Sequence, residues 1–123
     1  MTFHSTPSVL SHSGNGGTAV NAGNENFGGS QLNYADASGH AALHGHGGYL
    51  TDSGNGGIAV NAGNINFGGD QTNVADASGH AALHGHGYLT DSGNGGIAVN
   101  AGNINFGGSQ TNIADASGHA VVH

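Results

Sequence analysis

One 17-residue stretch, Ser53-Gly-Asn-Gly-Gly-Ile-Ala-Val-Asn-Ala-Gly-Asn-Ile-Asn-Phe-Gly-Gly69, occurs three times in this chain. The copies begin at Ser13, Ser53 and Ser92, so the spacings are 40 and then 39 residues. A repeat of this length implies units that bury their surface against neighbouring units rather than within themselves. The similarity extends through Gln71–Ala81, which answers to Gln31–Ala41 and Gln110–Ala120. It also runs back to the N-terminus, where Phe3, His4 and Leu10 fall on Leu43, His44 and Leu50. The divisions are residues 1–40, 41–80 and 81–119, with 120–123 as the start of a fourth, all within a single repeat domain.

The spacing of apolar residues indicates strands. Ile58-Ala-Val-Asn-Ala62 and Asn64-Ile-Asn-Phe67 alternate large apolar with small or polar residues, and Gln71–Ala75 and Ala81–His84 follow the same rule. Period-two alternation over four or five residues, bounded by glycines, is a strand pattern. No 3.6-residue stripe exceeds one turn. The 26 glycines of 123 residues recur at fixed places between these segments and read as corners.

Four or five short strands per repeat could form an antiparallel meander. Alternatively, each repeat could lie flat as one serpentine rung that pairs with the repeats above and below. Near-identity of the copies favours the rung, because parallel in-register stacking sets each residue on its own equivalent at about 4.8 Å. The expected fold is therefore all-β: stacked serpentine β-rungs, a β-solenoid or amyloid-like arrangement of about 40 residues per rung, three rungs per chain. The ladders expected to hold it are Val20, Val60 and Val99; Phe27, Phe67 and Phe106; Asn21, Asn61 and Asn100; and Gln31, Gln71 and Gln110. By hydrophobicity, the buried set of the middle repeat is Ile58, Val60, Ile65, Phe67, Val74, Leu83 and Leu89. On that reading Phe67→Asp blocks assembly. The extra residue of the longer spacing falls at Gly47-Gly48 against Gly87, which places that turn on the outside.

Composition excludes several functions. The chain has no Lys, no Arg and seven carboxylates, a formal charge of −7. Such a chain repels phosphate backbones and anionic membrane surfaces. No apolar run is long enough to span a bilayer, so neither nucleic acid nor membrane insertion is expected. Cysteine is absent, which removes disulfides and thiolate metal sites. The first ten residues lack the charged start and apolar centre of a signal peptide.

The ten histidines give the sharpest chemical signal. Stacking would align His40, His80 and His119 in one column and His44, His84 and His123, with His4, in a second. His46 and His86 would make a third. Imidazole columns of this kind could hold Zn, Cu or Ni. The Asp36, Asp76 and Asp115 column has no cation to offset it. Like charges so close are expected to raise one another's pKa, with three exits: protonation, outward exposure, or a bound cation such as Ca²⁺. Asp52 falls in the column of His12 as a candidate ion pair. No cofactor is required by any of this. No catalytic constellation is expected either, since the polar residues recur as ladders of like groups rather than converging as unlike groups in one pocket.

The Ser-Gly-Asn, then Gly-Ile-Ala-Val-Asn-Ala-Gly-Asn, then Gln71 and Asn73, resembles the repeat of the Fap-type functional amyloids of bacterial biofilms, and more loosely that of curli subunits. The matching core spans Ser53–Asn73 and its counterparts, about half of the chain. The resemblance makes Gln71 the stacked glutamine and Asn61 and Asn64 the stacked asparagines. It implies a fibre former located outside the cell or at its surface. The repeats here are contiguous, whereas Fap subunits separate theirs by long linkers, and the His-rich arm Gly79–Gly87 has no counterpart there. The expected function is a structural subunit polymerising head to tail with copies of itself, in a biofilm matrix or in adhesion. The alternative is a soluble β-solenoid binding module that holds metal ions on its His-rich face.

Overall fold

The computed structural model describes residues 7–123. His4 and Phe3, which the sequence places in the first column positions, lie outside the described residues. Among the described residues, fifteen strands follow one another in three equivalent sets of five. The first set is β1 (Val9–Ser11), β2 (Thr18–Ala22), β3 (Glu25–Asn26), β4 (Gln31–Asp36) and β5 (Gly39–His44). The second is β6 (Gly48–Thr51), β7 (Ile58–Ala62), β8 (Ile65–Phe67), β9 (Gln71–Asp76) and β10 (Gly79–His84). The third is β11 (Gly87–Thr90), β12 (Ile97–Ala101), β13 (Ile104–Phe106), β14 (Gln110–Asp115) and β15 (Gly118–Val122).

These strands make five parallel three-stranded sheets: β1-β6-β11, β2-β7-β12, β3-β8-β13, β4-β9-β14 and β5-β10-β15. Each sheet takes one strand from each set, and the second set is always central. Register is exact between repeats: Val60 pairs with Val20 and Val99, Gln71 with Gln31 and Gln110, His80 with His40 and His119. This is the serpentine rung, not the meander. Gly87 pairs with Gly48, so the extra residue is Gly47, exposed in the end loop. Residues 120–122 lie in β15, which stands beside β10 in the β5-β10-β15 sheet.

Each rung is a flattened loop. The β2-β7-β12 sheet faces β4-β9-β14, the β1-β6-β11 sheet lies against β5-β10-β15, and β3-β8-β13 turns the corner. Between the two halves the chain pinches to a waist. There the Gly57 N–H donates across the interior to the Ala37 carbonyl at 2.8 Å, and Gly96 to Ala77 at 2.7 Å. A Cβ on Gly56 would sit 1.7 Å from the Ala77 oxygen, and one on Gly79 2.0 Å from the Asn94 oxygen. These glycines therefore serve close backbone approach across the rung, a role beyond marking corners.

The alternation is as expected from sequence, but its phase is inverted. Inward positions of the middle rung carry Ala59, Asn61, Asn66, Gln71, Asn73, Ala75 and Ala77, all fully buried or nearly so, with Leu50 and Leu83 beyond the waist. Of the hydrophobic set expected inside, Leu83 alone is fully buried. Phe27, Phe67 and Phe106 point outward, 75%, 40% and 58% exposed. Val20 and Val99 are also exposed, Ile58 is exposed, and Val60, Ile65, Val74 and Leu89 are half-buried.

Two physical effects produce the inversion. An amide inside finds a partner on the next rung at every level, and small Ala side chains between the amides let two sheets approach closely. A bulky apolar column, meanwhile, covers much of its own surface by lying on its copies even when it faces water. The Phe rings do this, at centroid separations of 4.9 Å and interplanar angles of 4–5°.

Candidate functional site

The chemistry of this chain lies in columns that run along the stack, and in the two faces where the columns stop.

Three inward amide columns form continuous hydrogen-bond ladders pointing one way. Asn33 Nδ2 donates to Asn73 Oδ1 and Asn73 Nδ2 to Asn112 Oδ1, both at 2.8 Å. Asn24 donates to Asn64 and Asn64 to Asn103, both at 2.9 Å. Asn26 donates to Asn66 and Asn66 to Asn105, at 2.8 and 3.0 Å. The glutamine ladder points the other way: Gln110 Nε2 donates to Gln71 Oε1 and Gln71 Nε2 to Gln31 Oε1, each at 3.0 Å. Opposed ladders partly cancel one another's dipole along the axis.

The Asn21, Asn61 and Asn100 column stacks in register, but its side chains reach across the rung instead of bonding to one another. Asn61 Nδ2 donates to the Asn33 carbonyl at 2.7 Å and to the Val74 carbonyl at 3.2 Å, while its Oδ1 accepts from Asn64. Asn61 thus ties the two facing sheets together. Among the described residues no buried side-chain nitrogen or oxygen lacks a partner, as a polar interior requires.

The ladders end abruptly. The inward residues of β9 are sealed by the rungs on either side of them. Every residue of β14, one rung up, is exposed, including the core equivalents Gln110, Asn112 and Ala114. Among the described residues, β1–β5 and β11–β15 are the outermost strands of the five sheets. Neither end carries a segment of different composition that covers it among the described residues.

On the outer surface the histidine columns form as the register requires. His40 and His80 stack at 4.9 Å and 3°, His44 and His84 at 4.4 Å and 19°, His84 and His123 at 5.5 Å and 13°. His80 and His119 are tilted by 53° at 5.9 Å, and His46 and His86 stack at 5.7 Å. Near-parallel rings direct their in-plane lone pairs the same way rather than toward a common point. No group of three His, Asp or Glu side chains converges on one ion position among the described residues. A metal shared between rungs would require the rings to rotate out of their stacks. An open groove of about 430 Å³ runs beside the first column, walled by His40, His80 and His119 and floored by Ala42, Ala82 and Val121.

The aspartate column takes the outward-facing exit: Asp36 and Asp115 are exposed and Asp76 is half-buried. Repulsion was expected to raise its pKa values. Instead the Asp36 carboxyl is held below the usual range, first by the Ser38 hydroxyl and then by the Ser38 N–H, at 2.5 and 2.9 Å. Asp115 is likewise lowered, chiefly by the Ser117 N–H at 2.9 Å. The Asp-x-Ser turn supplies two donors to one oxygen, and outward exposure lets water screen the neighbouring charges. Burial, then the Asp36 and Asp76 charges, push the Tyr34 phenol up.

The remaining acidic column begins with the expected pair, His12 Nε2 to Asp52 Oδ2 at 3.0 Å, with both side chains largely exposed. His12, Asp52 and Asp91 are the non-glycine residues with left-handed backbone among those described, at φ of 53°, 46° and 47°. The stack repeats the same strained turn on each rung. Such a turn suits Asp, a residue that tolerates this region.

A cheap sequence signal for the inside existed. Inward positions are the same in all three copies apart from Ser8 against Gly48 and Gly87, and Val122 opposite Leu83 and Leu43, whereas other substitutions gather on outward positions: Thr18 for Ile58, Glu25 for Ile65, Leu32 for Thr72, Tyr34 for Val74 and Ile113. No protein-family model, curated protein or solved structure matches the chain.

Proposed function

We propose that the chain is a structural subunit that polymerises head to tail into an amyloid-like filament, acting outside the cell in a matrix or in adhesion. The observation that carries this reading is that the interior is open at the third-rung end of the stack, where Gln110, Asn112 and Ala114 are exposed. The columns sealed in the middle rung lie bare in the third, and solenoids that remain monomeric end in caps. Uncovered sheet edges of this kind template further strands.

The two ends also match. With the first rung of the next chain laid on the third rung of this one, Ala19 falls on Ala98, Gln31 on Gln110 and Asn33 on Asn112. Asn112 Nδ2 then donates to Asn33 Oδ1 of the next chain, and Gln31 Nε2 of the next chain donates to Gln110 Oε1. Both ladders continue with their polarity unbroken, so the joint between subunits repeats the joint within one.

The test is sedimentation velocity across a concentration series, followed by helical reconstruction of what forms. Expected are filaments with strand spacing of about 4.8 Å and a rise of about 14 Å per chain, three rungs each. A discrete small species at high concentration would refute the reading and favour the metal-holding module. In that case Zn²⁺, Cu²⁺ or Ni²⁺ titration of the His face becomes the informative measurement.

A further inference from the structure

We infer that the outer face of the β2-β7-β12 sheet is a lateral interface, and that its occupant is a second stack of this same chain. The inference rests on the head-to-tail reading above. On this face the outward columns are Thr18, Ile58 and Ile97; then Val20, Val60 and Val99; then the alanines at 22, 62 and 101. Val20 is 65% exposed, Ile97 58% and Ile58 43%. Three adjacent columns, apolar apart from Thr18, stand on a flat parallel sheet, a surface suited to dry interdigitation with its like. Soluble monomers seldom expose contiguous apolar patches of this sort without a partner.

Charge restricts the choice of face. The chain carries seven carboxylates and no Lys or Arg, so two stacks repel wherever carboxylates meet. The opposite long side presents Asp36, Asp76 and Asp115, and the β5-β10-β15 side presents polar imidazole columns. The Ile/Val face bears neither.

Area identifies the partner as a stack rather than a single chain. One chain offers about 14 Å of height and about 15 Å of width on this face, roughly 200 Å². Two such faces bury about 400 Å², against at least about 1,200 Å² for a stable complex. A lone pair of chains therefore does not hold, whereas stacks of three or more chains reach the threshold. The partner must also repeat every 4.8 Å to keep its side chains between these columns, which a second stack does by construction. Lateral pairing follows axial growth and is cooperative with it.

The experiment is mass-per-length measurement by scanning transmission electron microscopy on filaments of the full chain. At 11.9 kDa per chain and a rise of about 14 Å, a single stack has about 0.85 kDa/Å and a pair about 1.7 kDa/Å. Wild type should give the paired value. Val60→Lys, and the uncharged Val60→Gln, should give the single value with unchanged circular dichroism, because residue 60 faces outward. Thr72→Lys, on the opposite long side, should remain paired.

Wild-type filaments at the single value overturn the pairing and leave head-to-tail stacking intact. Val60 variants that stay at the paired value, with Thr72→Lys at the single value, assign pairing to the other side and overturn this face. Single stacks that co-sediment with phosphatidylcholine vesicles, and lose that binding in Val60→Lys, assign the face to lipid and overturn it as well. Failure to form any filament overturns both readings.

Discussion

Residues 74 and 75 are neighbours in sequence and lie on opposite sides of the wall, so a pair of substitutions there tests the inverted phase directly. Ala75 is fully buried and packs with Ala35, Ala37, Ala59 and Ala77, with Ala19 and Ala98 alongside. Ala75→Leu adds three carbons between two sheets whose spacing is set by alanines. The rungs above and below hold the same spacing and prevent local relief. Overpacking of a tight core costs about 1–3 kcal/mol and sometimes more. Here the upper end applies, about 3 kcal/mol, or roughly a hundredfold in the folding equilibrium. Val74 is half-exposed and faces outward, so Val74→Thr exposes its hydroxyl to water and should change stability by about 0.5 kcal/mol or less.

If the bulky residues were inside, the ranking would reverse. Val74→Thr would then bury an unpartnered hydroxyl at about 1–3 kcal/mol, and Ala75→Leu would be close to neutral. Urea denaturation followed by circular dichroism, at concentrations too low for assembly, measures both. A midpoint for Val74→Thr below that of Ala75→Leu would refute the reasoning.

Gly56→Ala should abolish folding or cost several kcal/mol, since its Cβ would lie 1.7 Å from the Ala77 oxygen. Gly63→Ala, at φ +66° with only the Gly23 nitrogen in ordinary contact at 3.8 Å, should cost about 1–2 kcal/mol, and thermal melts compare the two. Gln71→Glu would aim a buried carboxylate at the Gln31 Oε1 and the Asn64 carbonyl, which Gln71 now serves as donor. Burial and facing oxygens raise such a carboxyl's pKa, so the variant should be unstable at neutral pH and recover as acid protonates it, visible in melts across pH. Asp36 and Asp115 have the opposite sign: with folded pKa values lowered, their contribution is present above about pH 3.9 and is lost as pH falls through the lowered values. NMR titration should show Ser38→Ala moving Asp36 upward further than Ser117→Ala moves Asp115, because the hydroxyl is the leading cause at Asp36 and the backbone N–H at Asp115.

The stacking was legible in sequence because parallel in-register pairing leaves a simple trace, the recurrence of the same residue at a fixed spacing. That trace gives the pairing of Gln71 with Gln31 and Gln110, the Phe and His columns, and the outward turn at Gly47. Facing was misread because hydrophobicity ranks a side chain against water alone. Along a stack the alternative to water is the residue's own copy, and the two kinds of side chain gain differently from it. Asn73 gains directed hydrogen bonds that survive only where water is excluded. Phe67 gains ring-on-ring contact that persists with its edge in water. The waist at Gly56 and Gly79 was hidden for another reason: a close approach between segments 21 residues apart leaves no periodicity, only a glycine that looks like any other.

The distribution of differences among the copies links this fold to the proposed assembly. An inward substitution alters a column shared by every rung, and a single Leu among the alanines would force apart neighbours on both sides. An outward substitution touches its own rung and little else, which is how Glu25 can stand in the column of Ile65 and Ile104. An isolated three-rung chain needs this uniformity only at its two internal joints. Its third rung, whose inward residues are exposed, could have drifted toward a polar, water-facing end. It has not: Asn112 keeps the amide of Asn73, and Ala114 keeps the methyl of Ala75. The retention of core residues on a face that the three-rung stack leaves in water is what a joint between chains would require.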